Sequence, residues 1–264
     1  MNPILCLAHN NLALTRKAIA SFLVQDVPVE VLLINNASTD GTASWMATLD
    51  KRVTQVHLRE QQSVAAAWNY GLRWCFKAGA DKVLVCNNDV EIGPETYGYL
   101  SAVCDLETQQ RIADGYVNSF QFVTCVSVNK KEQNIHPALG WSYHVRPHPD
   151  FSCFMIHRYV TETIGWFDEE YKIAYGEDCD YHVRMHRGGI NAMCFDIPFL
   201  HHGASTVKLA DPEEVERICE QAERNRERFY AKYGVRIGTP EYDTLFTPET
   251  FGIDLPIKPD KLLV

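Results

Sequence analysis

The feature that most constrains this chain is an alternation in its N-terminal third: short apolar runs that each end in a polar cluster, separated by segments with helical spacing. Ile4 to Ala8 opens into His9, Asn10 and Asn11. Val29 to Ile34 runs into Asn35-Asn36-Ala37-Ser38-Thr39-Asp40-Gly41-Thr42, and Lys82 to Cys86 into Asn87-Asn88-Asp89. Val53 to Leu58 is a further strand candidate. Between them, Thr15 to Val24 carries apolar Ala18, Ile19, Phe22 and Leu23 at helical spacing, and the segments 43–49 and 64–78 also read as helices. Apolar runs without polar alternation suit strands buried on both faces, and strands alternating with helices imply an α/β fold with a parallel sheet covered on both sides. Ligands of such sheets sit at the carboxyl ends of the strands. The polar clusters at 8–11, 35–42 and 87–89 all fall there, so the pattern predicts one pocket assembled from distant segments.

Beyond about residue 100 the pattern loosens. Val117 to Val128 and Ile197 to Leu200 read as strands, Asn129 to Pro149 as a long irregular insertion, and Cys179 to Arg187 as a short helix. Asp211 to Tyr233 is expected as a helix capped by Asp211, with Pro212 at its first position and Gly234 at its end. The remaining segment, through Pro240, Pro248, Pro256 and Pro259, is too rich in proline for regular structure to be expected.

Bulk properties narrow the function. At 264 residues, 46% hydrophobic and 22% charged, the chain suits a single elaborated globular domain. A formal charge of -9 argues against a surface made for polyanions, so nucleic acid is an unfavoured partner. Nine scattered cysteines with no CxxC pair suggest neither a zinc site nor a disulfide framework; an odd count fits reduced thiols and an expected cytoplasmic location. No stretch approaches the roughly 18 apolar residues of a membrane span, and MNPILCLAHNN lacks the basic flank of a signal peptide.

Four blocks in order carry a resemblance: LAHNN at 7–11 with INNASTDGT at 34–42, SVAAAWNYGL at 63–72, CNNDV at 86–90, and IGWFDEEYKIAYGEDCDYHVRMHRGG at 164–189 followed by HHGAS at 201–205. Together they resemble the inverting glycosyltransferases of family 2, and within them the rhamnosyltransferase-like members. The resemblance implies the Rossmann-like GT-A fold over 1–234, with a nucleotide-sugar-binding half at 1–100, an acceptor and catalytic half at 101–210, a C-terminal helix at 211–234 and a proline-rich tail at 235–264. It implies a nucleotide-sugar donor, a hydroxyl acceptor and a divalent ion, Mn²⁺ or Mg²⁺. A glycan is the expected acceptor, a hydroxylated DNA base is left open, and so is a homo-oligomeric state. Two departures stand out: Asn35 replaces the usual Asp of the nucleotide loop, and CNNDV keeps only the last carboxylate of the acidic metal motif, Asp89.

The chemistry explains why those residue types matter. A departing diphosphate gathers charge that a divalent ion offsets, and oxygen and imidazole ligands suit such ions. Asp89 is the first candidate ligand; its alternative is a simple cap. The HxGxS spacing after a strand makes His201 the second. His202 is also a candidate, although adjacent side chains on an extended chain point to opposite sides. Transfer to a hydroxyl needs a base, and the Glu177-Asp178 pair supplies one: the resemblance makes Asp178 the base and Glu177 its orienting neighbour, while the alternative is a pair of acids at a helix N-terminus. Asn35 and Asp40 are candidates for reading the nucleoside, with the amide at 35 altering the usual contact. His9 is a candidate for stacking on or bonding to the nucleobase, and Asn69 and Asn88 for ribose or diphosphate, although Asn69, in a helix, equally suits a tie between neighbouring loops. Trp141 and Trp166, with Tyr143, are candidates for stacking on the acceptor, against core packing as the default. A catalytically degenerate binding module is the main alternative function, and a nucleotidyltransferase, which lacks a triphosphate loop here, a distant third.

Overall fold

Strands buried on both faces require apolar residues of both parities, and β1 (Pro3–Ala8), buried throughout, supplies them. Ile4, Cys6 and Ala8 enter one core cluster, Leu5 and Leu7 the other. The computed structural model describes residues 1–104, 120–128, 143–144, 149–190, 192–203 and 210–246. Within them β1 lies between β2 (Glu30–Asn36) and β4 (Lys82–Asn87), parallel to both, and β2 pairs in parallel with β3 (Val53–Leu58). Register places Ala8 beside Asn35 and Leu7 beside Asn87, which aligns the three polar clusters along one edge.

Helices cover the two faces. α1 (Leu12–Phe22) packs Ala18, Ile19 and Phe22 on the first, where α4 (Thr96–Val103) adds Leu100. On the second, α3 (Val64–Lys77) packs Ala65, Trp68 and Leu72. A Cβ at Gly71 would stand 2.4 Å from Leu5 Cδ1, so the missing side chain is what lets α3 approach β1. A short helix α2 (Thr42–Met46) follows the 37–41 turn.

The second half extends the same nine-stranded sheet with mixed polarity. Next to β4 comes β8 (Cys153–His157), antiparallel, then β6 (Phe122–Val128), then β9 (Ala192–His201), and at the edge β5 (Val90–Ile92); β7 (Tyr143–His144) also pairs with β9. The chain therefore leaves β4 at Asn87, turns through two residues and joins the far edge, where Val90 lies opposite His201. That crossing brings residues more than a hundred positions apart together.

Helices α5 (Arg158–Ile164) and α6 (Glu177–Arg187) lie on the second face, through Val160, Tyr181 and Met185. The C-terminal helix α7 (Pro212–Tyr233) begins as expected: Asp211 accepts from the Glu214 N–H at 2.9 Å, Pro212 leads, and Gly234 closes it at φ 76°. The expectation of an irregular tail fails for its first part. Pro240 opens a short helix α8 (Pro240–Asp243), where a missing N–H leaves no bond unmade, and a 3-10 turn (Thr244–Phe246) follows. Tyr242 and Phe246 are buried against Tyr171, Val183 and Phe229 in a third core cluster. Residues 247–264 lie outside the described residues, as do most of the 129–149 insertion and Trp141.

Candidate active site

A cavity of about 410 Å³ opens along the polar strand ends. Asp89, Asp178 and His201, drawn from three separate parts of the chain, all line it. Asp89 occupies the turn between β4 and β5 and His201 the end of β9, so the β5–β9 pairing sets their separation: Asp89 Oδ1 is 3.5 Å from His201 Nε2. Burial works against a charge on His201, but the hydrogen bond and charge of Asp89 outweigh it and hold the imidazolium pKa above its ordinary value. His202 faces elsewhere. Its Nε2 lies 2.8 Å from Glu91 Oε1 and its backbone N–H donates to the Asp89 carbonyl at 3.0 Å, so it steadies the turn and does not line the cavity.

At the other side stands the N-terminus of α6. Gly176, at φ 96°, precedes it in a loop where Ile173 and Tyr175 also have left-handed backbone, at φ 57° and 76°. This bend delivers Glu177 and Asp178 to the cavity together. Asp178 Oδ1 accepts from the Gly176 and Cys179 N–H groups at 3.2 and 2.8 Å. Glu177 is 5% exposed, and its Oε2 is buried without a hydrogen-bond partner. Burial first, and the charge of Asp178 second, push its pKa well above the ordinary carboxylate range. Asp180, one turn along, has a different role: fully buried, it binds Arg184 at 2.8 Å and the Tyr233 hydroxyl at 2.8 Å, tying α6 to α7.

The loop ahead of α6 is clamped from α7. Asn225, 2% exposed, directs its amide nitrogen at the carbonyls of Lys172, Ala174 and Tyr175, at 2.9, 2.9 and 2.8 Å. An amide carries two N–H bonds, so one is shared. Gln221 donates to Asn225 Oδ1 at 2.9 Å and fixes which end of the amide faces the loop.

Several sequence candidates make hydrogen bonds within the fold. Asn35 Oδ1 accepts from the Ser38 N–H at 2.9 Å and its amide meets His57 at 3.3 Å. Asp40 accepts from Leu12 N–H at 2.7 Å and from Thr42 N–H and hydroxyl at 3.2 and 2.6 Å, joining the starts of α1 and α2. Burial opposes its charge, yet these hydrogen bonds prevail and lower its pKa. Neither residue lines the cavity. Asn69, fully buried, donates to Phe167 O and Glu169 Oε1 and accepts from Phe167 N–H at 2.9, 2.8 and 3.0 Å, so it ties α3 to the loop before α6 with both amide N–H bonds used. Trp166 packs beside Phe76 with the Arg73 guanidinium 4.5 Å over its ring, and it borders none of the cavities described here. Asn88 does border the cavity, but its amide donates to Asn10 O and Thr15 Oγ1 at 3.1 and 2.9 Å. His9 borders it too. A carbonyl only accepts, so the 2.7 Å contact with Asn36 O puts the proton on Nδ1, and Nε2 then accepts from Asn10 at 3.4 Å.

Sequence reasoning passed over Trp68, Asp150, Phe151 and Tyr175, all on the cavity wall. Trp68 and Tyr175 lay in blocks already singled out; Asp150 and Phe151 sat at the end of the irregular stretch with no periodic signal. Asp150 adds negative charge near His201. Four carboxylates thus line the cavity, and no described Lys or Arg does.

The donor set fits a hard divalent ion. Ligands about 2.1 Å from one ion at right angles stand about 3 Å apart, and Asp89 Oδ1 and His201 Nε2 come close to that at 3.5 Å. Among the described residues no group of three or more His, Cys, Asp or Glu is arranged to hold a metal, so phosphate oxygens and water would complete the shell, as Mg²⁺ sites commonly allow.

A parallel sheet whose strand-end cleft joins a mixed second half through one continuous sheet defines an α/β protein of the GT-A kind. Solved structures with this fold include Staphylococcus aureus TarS in complex with UDP-GlcNAc (14% identity, TM-score 0.51, covering 76% of this chain and 56% of that one). Another is the Pyrobaculum calidifontis mannosyltransferase PcManGT in complex with GDP-Man and Mn²⁺ (18% identity, TM-score 0.52, covering 78% and 58%). The profile of glycosyl transferase family 2 matches residues 4–165, and the chain belongs to that family. It is 25% identical over 185 residues to the dTDP-rhamnosyl transferase RfbF of Shigella flexneri, a match covering 68% of this chain and 62% of the relative. No described helix is long and apolar enough to cross a membrane.

Proposed function

We propose that the chain transfers a sugar from a nucleotide-sugar to an acceptor hydroxyl in a metal-dependent, inverting reaction. One observation carries this reading: a cavity of about 410 Å³ has a base candidate and a paired Asp–His on its wall, and four carboxylates but no described Lys or Arg around it. A diphosphate entering such a wall is repelled unless a cation accompanies it. Asp89 and His201 would hold that divalent ion, which supplies Lewis-acid neutralisation of the leaving diphosphate.

Asp178 takes the proton of the acceptor hydroxyl as its oxygen bonds to the anomeric carbon and the carbon–oxygen bond to the diphosphate breaks. The nucleoside diphosphate leaves with the electron pair, and one displacement inverts the configuration. The backbone N–H bonds to Asp178 Oδ1 fix the orientation of the carboxylate at the cavity wall, as a base requires. Glu177 borders the same space and orients the acceptor. The name of the Shigella relative puts dTDP-rhamnose first among donors to assay, followed by UDP- and GDP-sugars. Nine free cysteines suit a reducing compartment, and we place the reaction in the cytoplasm.

The test is turnover of a nucleotide-sugar panel with Mn²⁺, with Mg²⁺ and with a chelator. Metal-dependent release of nucleoside diphosphate supports the proposal. Nucleotide binding without release under any acceptor condition would leave a binding module in its place.

A further inference from the structure

Cys6, Cys86, Cys153 and Cys125 stand in one row across the middle of the sheet. Register pairs Cys6 on β1 with Cys86 on β4, and Cys86 with Cys153 on β8. On the next strand, β6, Thr124 pairs with Phe154, which puts Cys125 opposite Cys153. All of these thiols enter the same core cluster, on the face covered by α1, and all are fully buried. No spacing in the sequence reveals the row, because only the strand order β1-β4-β8-β6 assembles it.

Within the row, Cys86 and Cys153 have the geometry of a bridge not yet made. The Asn87 N–H donates to Ser152 O at 2.9 Å, so 87 and 152 form a hydrogen-bonded pair and Cys86 and Cys153 the non-hydrogen-bonded pair beside it. Pairs of that kind hold their Cα atoms about 4.5 Å apart, inside the window of about 4.4 to 6.8 Å that a disulfide tolerates. The two Sγ atoms already stand 3.7 Å apart. A bond needs about 2.0 Å, which side-chain rotation supplies. Cys153 also shares a hydrogen bond with Cys125, and its bonds with Cys125 and Cys86 lower its pKa against the effect of burial. The thiolate is the form that attacks an oxidant.

The pair also sits at a mechanically important place. β4 and β8 form the seam at which the parallel half of the sheet meets the mixed half. One residue nearer the strand ends, Asn87 and Ser152 line the cavity, as does Leu7 beside Cys6. The thiols therefore lie just beneath the cavity floor, where local opening of the strand ends admits a water-sized molecule more readily than a bulky one.

We propose that Cys86 and Cys153 are an oxidative modification site, converted by hydrogen peroxide into a cross-strand disulfide that fastens the two halves of the sheet beneath the cavity. The Cys153 thiolate attacks one peroxide oxygen, the O–O bond breaks, and the departing hydroxide takes up a proton as water, leaving a sulfenic acid. The Cys86 sulfur then attacks that sulfur, the S–O bond breaks, and a second water leaves with the Cys86 proton. Two thiols and one peroxide thus give one disulfide and two waters. The site does not depend on the transferase reading.

The test treats the whole native protein with hydrogen peroxide, digests it without reductant and maps it by mass spectrometry, with exposed Cys219 as the internal reference. The expected result is a peptide linking Cys86 to Cys153 in most chains, formed with the melting transition intact, reversed by dithiothreitol and retained in Cys219→Ser. A maleimide-bearing polyethylene glycol should label Cys219 at least about tenfold faster than either buried thiol. Free Cys86 and Cys153 in protein whose Cys219 is oxidised, a link from Cys153 to Cys125 instead, a link that forms only in denaturant, or a link lost in Cys219→Ser overturns the proposal. Labelling of Cys86 and Cys153 by the polymer at the rate of Cys219 overturns it too, since the row would then not lie beneath the floor.

Discussion

The two halves of the sheet use polar residues in opposite ways. Along the parallel half, Asn10, Asn35, Asp40 and Asn88 bond mainly to one another's loops, closing turns and starting helices. In the mixed half, Glu177 and Asp178 line the cavity from a helix start, Glu177 Oε2 is left without a hydrogen-bond partner, and the loop ahead of them is held by Asn225 from another helix. A cluster of polar residues at a strand end therefore marks where a pocket is, whereas the loop that carries the two adjacent carboxylates is held by an amide from a separate helix.

That contrast can be broken at either end. The largest effect is expected from Asp178→Asn, which should lower kcat about 10³-fold with nucleotide affinity held, measured by steady-state turnover and equilibrium titration. Next, Asp89→Ala should weaken nucleoside diphosphate binding about 10- to 100-fold in Mn²⁺ and not at all in chelator, as read by calorimetry; equal losses in both conditions would point to a fold defect. Asn225→Ala leaves three carbonyls of the 172–175 loop short of a donor. It should cost about 2 kcal/mol in denaturant unfolding and several-fold in kcat, with less change in nucleotide affinity.

The parallel half predicts the reverse pattern. Asn35→Ala should lose about 1 kcal/mol of stability with nucleotide affinity unchanged, because its oxygen serves the Ser38 N–H. A marked loss of affinity would move Asn35 back into the ligand site. The smallest effect is expected from Glu177→Gln, and its sign is set by linkage. The folded pKa is raised, so the folded state binds more protons than the unfolded one and wild-type stability falls as pH rises through the ordinary glutamate range, about pH 4 to 5, toward the raised value. Thermal melts across pH should show Glu177→Gln gaining on wild type as pH increases over that window; a constant difference would refute the burial argument.

How much was legible in the sequence follows the same division. Strands β1 to β4 and helices α1, α3 and α7 were readable because each is long, periodic and punctuated by polar or proline residues. β5, with three residues, is too short to show a period. β8 and α5 escaped because the strand passes into the helix without a linker, His157 ending one and capping the other through Tyr159 N–H at 3.1 Å. Asp89, Asp178 and His201 were expected to share one cleft on the strength of the resemblance, but the route by which they meet was not readable, since it depends on the chain jumping from β4 to the opposite edge of the sheet. Asn69 was open between two roles for a physical reason: an amide in a helix can bind a ligand or a distant loop, and the contacts with Phe167 and Glu169 are what reveal the loop tie.

The Asn225 clamp bears on how relatives of this chain can be recombined. A hybrid spliced near residue 165, where the family match ends, would inherit the 172–175 loop and its three carbonyls from the same parent as their partner only if the chain through Asn225 travels as one block. A junction placed between 190 and 220 would instead pair one parent's carboxylates with another's helix, and such a hybrid should fold its sheet while losing its turnover.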